Sequence, residues 1–326
     1  MLRDLNKNLV IVAALVMALA CSAPAFAKSY LAYGGGPVGG TFNYFANAMA
    51  SYITNTYADI EVSSEGSGGS TANLKRLDKG EVDFGIVYSG DAFLGRFGRL
   101  PQDANKYDKV RAIAFLYGAP AHLVVKKKDG ITTASQLAGK RVAVGNAGSG
   151  AAAAAERFFT QMGLWDKIQR QNMGYSAAAA AFNDGKLDAF WVFVGYPNSS
   201  VIEAAARDEI ALIDVHADAE KCGFYKEYPF YAPMEIPAGT YSGQDKPVKS
   251  FQDAAYWCTN AGVADDMVYK AVKAIYTPEG LKHMVASKKT AESMSIADGL
   301  KGVSIPVASG AAKFWKENNL TVPDIK

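Results

Sequence analysis

A motif that occurs twice, 105 residues apart, limits what this chain can fold into. Residues 69–90 read GSTANLKRLDKGEVDFGIVYSG, and residues 174–195 read GYSAAAAAFNDGKLDAFWVFVG. In each copy a helix-compatible stretch runs to a glycine, Gly80 or Gly185. A charged residue, an apolar residue, an aspartate and an apolar run closing on glycine then follow. Glycine suits the left-handed residue that ends a helix, and an unbroken apolar run is what a strand buried on both faces requires. The spacing is too long for a solenoid, whose repeat is roughly 20–50 residues. The pattern predicts two similar α/β lobes, a cleft between them and a ligand in the cleft.

Strand and helix patterns alternate along the rest of the chain, which argues for largely parallel sheets. Ser29 to Tyr33 reads as a strand entering the glycine loop Gly34 to Gly40, and Thr41 to Thr54 has helical spacing. Asp59 to Ser63 reads as a second strand, Glu65 to Ser70 as a loop before a helix, and Phe84 to Tyr88 as a third strand. The second lobe restarts with the strand Arg141 to Val144, the loop Gly145 to Gly150 and a helix from Ala151 to Met162. Ala112 to Lys126, broken by Gly118 and Pro120, reads as the outward crossing between lobes, and Tyr225 to Thr240 as the return. Met267 to Tyr276 and Ser309 to Asn318 read as closing helices, with Ser309 as an N-cap. The expected division is residues 28–119 with 225–326 as lobe 1, and 120–224 as lobe 2.

The N-terminus sets the compartment. Arg3 and Lys7 precede the apolar run Leu9 to Ala20, and Ala25-Phe26-Ala27 suits a signal peptidase. The run is too short for the roughly 20 residues that span a bilayer, so residues 1–27 are expected to be a cleaved export signal. Cys21 follows Ala18-Leu19-Ala20, where lipid processing would want a larger aliphatic than Ala18, so no lipid anchor is expected. With 34 basic against 32 acidic residues, the chain has no electrostatic reason to bind nucleic acid. Cys222 and Cys258 are open to pairing or to free burial. His122, His216 and His283 have no metal-ligand spacing with them, so neither metal nor cofactor is expected.

Chemistry concentrates in glycine and hydroxyl loops at strand ends, where open α/β sheets bind ligands. Each loop precedes a helix, so free N–H groups and the positive end of the dipole point into the cleft. None of the loops holds an arginine or lysine, so an anionic ligand is expected to be held mainly by neutral dipoles. Gly34, Gly36 and Gly39 fit a dinucleotide fingerprint with Glu61 about 20 residues on. Pro37 inside it and the exported compartment argue against nucleotide. There is no nucleophile elbow, and His122 reads as a packing or hinge residue. Asp83 and Asp188 hold equivalent repeat positions at strand starts and read as structural.

An ordered set of motifs then adds a resemblance. Gly36-Pro37-Val38-Gly39-Gly40-Thr41-Phe42, Glu65 to Ser70 with Asn73-Leu74, and Gly145 to Gly150 resemble the TAXI family of solute receptors of TRAP transporters. So do Phe193 to Asn198, Tyr228 to Tyr231 and Ile236 to Tyr241, nearly the length of the mature chain. The resemblance implies a two-lobed periplasmic-binding-protein fold of the second type with two hinge crossings. It implies a monomeric, non-enzymatic periplasmic receptor for a small carboxylate solute, a glutamate- or glutamine-like amino acid or a dicarboxylate. Delivery would be to a TRAP membrane permease of fused small and large subunits. A receptor for an ABC importer and an exported enzyme on the same scaffold are the alternatives.

Carried over by residue, the family's ligand-binding positions fall on Gly39, Gly40, Thr41, Phe42, Gly69, Ser70, Ser89 and Asp91 in lobe 1. In lobe 2 they fall on Asn146, Gly148, Ser149, Gly150, Gly195, Tyr196 and Pro197. The chain departs from the family at Ala151, where threonine is usual, and at Tyr88, where glutamine is common. Glu65 or Asp91 would either pair an amino group of the solute or be a solvated carboxylate at a helix start, the second being favoured. Closure of the lobes about Tyr117 to His122 and Tyr225 to Tyr231 is the expected mechanism.

Overall fold

A computed structural model of the protein describes residues 28–325 apart from Gln102. The expected export signal and Cys21 lie outside the described residues. Lobe 1 opens with β1 (Ser29–Gly34), α1 (Thr41–Thr56), β2 (Ile60–Glu65), α2 (Ser70–Lys79), β3 (Phe84–Tyr88) and α3 (Ser89–Arg96). The 17-residue strand β4 (Val110–Lys126) leads to lobe 2. There follow β5 (Arg141–Ala143), α4 (Gly150–Gln161), β6 (Gln169–Gln171), α5 (Tyr175–Asn183), β7 (Ala189–Phe193), α6 (Ser199–Arg207) and β8 (Ile210–Leu212). The short helices α7 (Val215–Lys221) and α8 (Phe224–Glu227) precede β9 (Ala232–Ile236) and β10 (Val248–Asn260). Helices α9 (Asp265–Ile275), α10 (Pro278–Ser287) and α11 (Ser309–Glu317) close the chain.

The duplication is visible in the strand order. Lobe 1 runs β2-β1-β3-β10-β4; lobe 2 runs β6-β5-β7-β4, with β8 also on β4. In both, the first three strands are parallel and the fourth antiparallel. The repeated aspartates do the same job twice. Asp83 accepts the Ala32 N–H of β1 at 2.8 Å and Asp188 the Arg141 N–H of β5 at 2.8 Å, so each ties its strand to the neighbouring first strand of its lobe. Gly80 and Gly185 both take φ +71°, a left-handed turn after a helix that other residues resist. The strands between are buried along their whole length, as apolar runs in a two-faced sheet must be.

Three details differ from the sequence reading. Gly118 and Pro120 do not break the crossing, because β4 runs through them as one strand. Pro120 is its last residue paired with β10 and Ala121 its first paired with β7. A proline is tolerated where the ladder changes partner and no donor is needed. The return stretch is not wholly aperiodic, because β9 lies within it, and the chain runs on past Thr240 into β10, which inserts between β3 and β4. At α11 the cap falls on Ala308, since its N–H is engaged with the Ala112 carbonyl at 2.9 Å, and Ser309 is already helical. Cys222 and the buried Cys258 are free thiols.

His122 sits buried just past the partner switch in β4. Its Nδ1 lies 3.1 Å from the Pro120 carbonyl and its Nε2 2.9 Å from the Tyr241 hydroxyl, which itself accepts the Asn198 N–H at 3.0 Å. This chain suits a neutral ring with the proton on Nδ1, and burial lowers its pKa from 6.5 to about 4. Because the folded value lies below the unfolded one, the unfolded chain takes up the proton first. The stabilisation is complete above pH 6.5 and is lost as pH falls towards 4, by up to about 3 kcal/mol. Denaturant unfolding at pH 7 and pH 4.5 should therefore show a larger loss for the native protein than for His122→Asn. Equal losses would refute the assignment.

Candidate functional site

Four helices, α1, α2, α4 and α5, point their N-termini at one cavity of about 30 Å³ between the lobes. None carries an acidic residue in its first turn, and only α4 has a side-chain cap, Ser149, which accepts the Ala152 N–H at 3.1 Å. The first N–H groups of a helix lack partners within it, so four half-positive ends face one small space. As closed, the space holds about two waters. A molecule the size of an amino acid does not fit the cavity at these dimensions.

Gly40, Thr41, Phe42, Gly69, Ser70, Asn146, Ser149 and Gly150 line this cavity, as do Tyr88, Ala151 and Tyr175. Gly39 is outside the lining but faces the opposite lobe, where a Cβ on it would lie 3.5 Å from the hydroxyls of Ser176 and Ser199. The Gly148 carbonyl accepts a hydrogen bond from Thr71 across the lobes. Tyr88, the departure from glutamine, also bridges: its hydroxyl donates to the Phe193 carbonyl at 2.7 Å, and the Tyr175 hydroxyl donates to the same oxygen at 3.0 Å. Burial pushes the phenols of Tyr88 and Tyr117 well above their usual range, so they remain neutral donors. The buried hydroxyls of Thr41 and Tyr117 lie near one another without a hydrogen bond of good geometry.

Seven of the expected residues do not line this cavity: Gly39, Gly148 and Asp91 lie outside its lining, and four others lie in a different place. Ser89, Gly195, Tyr196 and Pro197 line a separate groove of about 980 Å³ along the hinge, with Phe93, Phe115 and Phe230. Ser89 turns away because α3 begins directly after β3, and its hydroxyl donates to Ser304 at 2.9 Å. Gly195 packs against Thr290, and the Tyr196 carbonyl accepts from the Thr290 hydroxyl at 3.2 Å.

The cavity lining itself carries no charged side chain. Beneath the lining, Asp91 of lobe 1 and Arg157 of lobe 2 form an ion pair of 2.6 Å with side chains 0% and 3% exposed. Asp91 is therefore no solvated carboxylate. Its second oxygen accepts from Ser70 at 2.6 Å, and Arg157 donates to Tyr231 at 3.0 Å. Burial opposes the charge on Arg157, while Tyr231 and Asp91 favour it and hold its pKa raised overall. Asp253 on β10 accepts the Gly90 N–H at 3.0 Å, and burial with nearby Asp91 pushes its carboxyl well above the usual range. Glu65, by contrast, pairs with Arg76 at the surface. Arg157 was missed because it belongs to a helix rather than a loop. Its place on the same stripe as Ala154 and Phe158 was the available signal.

Among the described residues no helix is long and apolar enough to cross a membrane, and no three His, Cys, Asp or Glu are grouped to hold a metal. Residues 33–318 match the NMT1-like family. A periplasmic transporter structure is similar with a TM-score of 0.50 and 12% identity, over 91% of this chain and 94% of that one. The periplasmic aliphatic sulphonate binding protein SsuA from Escherichia coli gives 0.48 and 16%, over 89% and 79%. A putative L-cystine ABC transporter protein from Listeria monocytogenes gives 0.49 and 12%, over 81% and 97%. The chain has the periplasmic-binding-protein fold.

Proposed function

We propose that this chain, which belongs to the NMT1-like family, is an extracytoplasmic receptor that captures a small carboxylate solute by lobe closure and hands it to a membrane permease. The observation that carries the reading is the meeting of four acid-free helix N-termini on one interlobe cavity. Amide dipoles in that number favour an anion. The arginine beneath them is paired to Asp91, no histidine lines the cavity, and the described residues hold no metal-ligand set, which favours binding over catalysis. Residues 28–119 with 225–326 would move against 120–224, about Tyr117 to His122 and Tyr225 to Tyr231. Gly39, Gly40, Thr41, Phe42, Gly69, Ser70, Asn146, Ser149 and Gly150 would touch the solute.

Two permease classes fit. The ordered glycine and aromatic motifs resemble TAXI receptors and support a fused TRAP permease. The comparisons lean towards an ABC importer, the class named for the Listeria protein. A neighbouring gene for an ATPase, rather than for a fused permease, would decide for the importer. The receptor reading itself is tested by thermal unfolding against amino acids, dicarboxylates and keto acids. A true solute at 100 times its dissociation constant should add about 2.7 kcal/mol of stability. Turnover of a compound, with stabilisation by no acid, would overturn it in favour of an enzyme.

A further inference from the structure

The hydroxyls lining the cavity have mostly committed their protons to the protein. Ser149 donates to the Asn146 carbonyl at 2.7 Å, and Tyr88 and Tyr175 both donate to the Phe193 carbonyl. Ser70 differs in having a charged acceptor. The guanidinium of Arg157, which has only donors, gives Asp91 Oδ1 a hydrogen bond at 2.6 Å. The carboxylate it stabilises can only accept, so the 2.6 Å contact between Ser70 Oγ and Asp91 Oδ2 must carry the serine proton. The Tyr88 N–H donates to Ser70 Oγ at 2.8 Å and takes one of its two lone pairs. One lone pair remains on Ser70, which is buried and lines the cavity.

The same cavity is lined by the first residues of the four helices, whose leading amides are donors, and by the Thr41 hydroxyl, which can donate as well as accept. The free amides of α2 stand beside Ser70 Oγ because Ser70 is the first residue of that helix. A solute seated there meets amides for its acid group and, adjacent to them, an acceptor that needs a donor. An acid with only oxygen lone pairs at that point leaves Ser70 unsatisfied and places lone pair against lone pair, and a buried polar mismatch of this kind is costly.

We propose that Asp91 is a positioning residue that holds Ser70 as a hydrogen-bond acceptor. The cleft then selects acids bearing an N–H or O–H donor next to the carboxylate, 2-amino or 2-hydroxy acids, over 2-oxo acids of the same skeleton. The inference rests on the receptor reading above and narrows its solute class.

The test uses matched triplets: alanine, lactate and pyruvate; aspartate, malate and oxaloacetate; glutamate, 2-hydroxyglutarate and 2-oxoglutarate. Affinities come from calorimetry and stability from thermal unfolding. On the skeleton that binds, the amino or hydroxy member should bind at least about tenfold more tightly than the oxo member. Ser70→Ala should lower that affinity about tenfold and leave the oxo acid within about twofold, collapsing the ratio. Asp91→Asn, whose amide can donate to Ser70, should relax the same ratio. A merely structural role would weaken all members alike. Equal or tighter binding of the oxo acid by the native protein, or equal losses for both solutes in Ser70→Ala, would overturn the proposal alone. Stabilisation by no acid would overturn the receptor reading beneath it.

Discussion

Gly150→Ala should leave both lobes folded and stop them closing. A Cβ at this position would lie 2.6 Å from Ser70 Cβ, 2.6 Å from the Tyr88 ring and 2.8 Å from an Asp91 oxygen, all on the opposite lobe. Within its own lobe Gly150 opens α4, where alanine is the better helix former by roughly 0.5–1 kcal/mol. The methyl group therefore does no harm locally and acts only where the lobes meet. Forced overpacking of this kind costs about 1–3 kcal/mol, which here falls on the closed form alone. Solute affinity should drop by roughly five- to 150-fold, and small-angle scattering with saturating solute should report the open dimensions. Undiminished binding with a compact scattering profile would mean that the lobes do not meet at Gly150 in solution.

The second large effect is expected at Arg157. Replacement by methionine keeps most of the volume and leaves Asp91 buried with Ser70 as its remaining side-chain partner. Uncompensated buried charges cost about 3–5 kcal/mol, whereas replacing both members of a pair is often nearly neutral. Arg157→Met alone should therefore lower unfolding stability by that amount, and adding Asp91→Asn should restore much of it. Asp253 sharpens the effect: with Arg157 gone, two acidic side chains remain beside Gly90, and among the described residues no other ion pair holds either of them. A loss under about 1 kcal/mol in the single variant would show that water reaches the pair and that the lobes stand apart at that depth.

Much of the fold was legible because burial on two faces leaves a plain signature. Phe84 to Tyr88 and Ala189 to Phe193 could be read as strands, and Gly80 and Gly185 as left-handed stops, without any tertiary information. The aspartates of the repeat were legible as structural from their placement before the strands. What escaped was set by partners distant in sequence. Val248–Asn260 mixes polar and apolar residues, and nothing local says that it slots between β3 and β4. In the site, loops that begin helices announced themselves through glycine and hydroxyl residues. Ser89 and Gly195 to Pro197 look equally suitable by that rule, yet the direction of the chain after the strand sends them to the hinge groove. Asp91 looked like an ordinary helix-start acid until Arg157, 66 residues on, was brought against it.

The insertion of β10 into the middle of the lobe 1 sheet fixes an order of assembly. Every strand of lobe 2 lies between residues 110 and 212, so that half has its complete sheet while the last third of the chain is still emerging. Lobe 1 cannot knit until Val248 and its successors arrive, and meanwhile β3 presents an apolar edge with no neighbour on that side. The half that begins first must finish last. Until then, its unpaired early strands are the stretch most in need of a chaperone's cover.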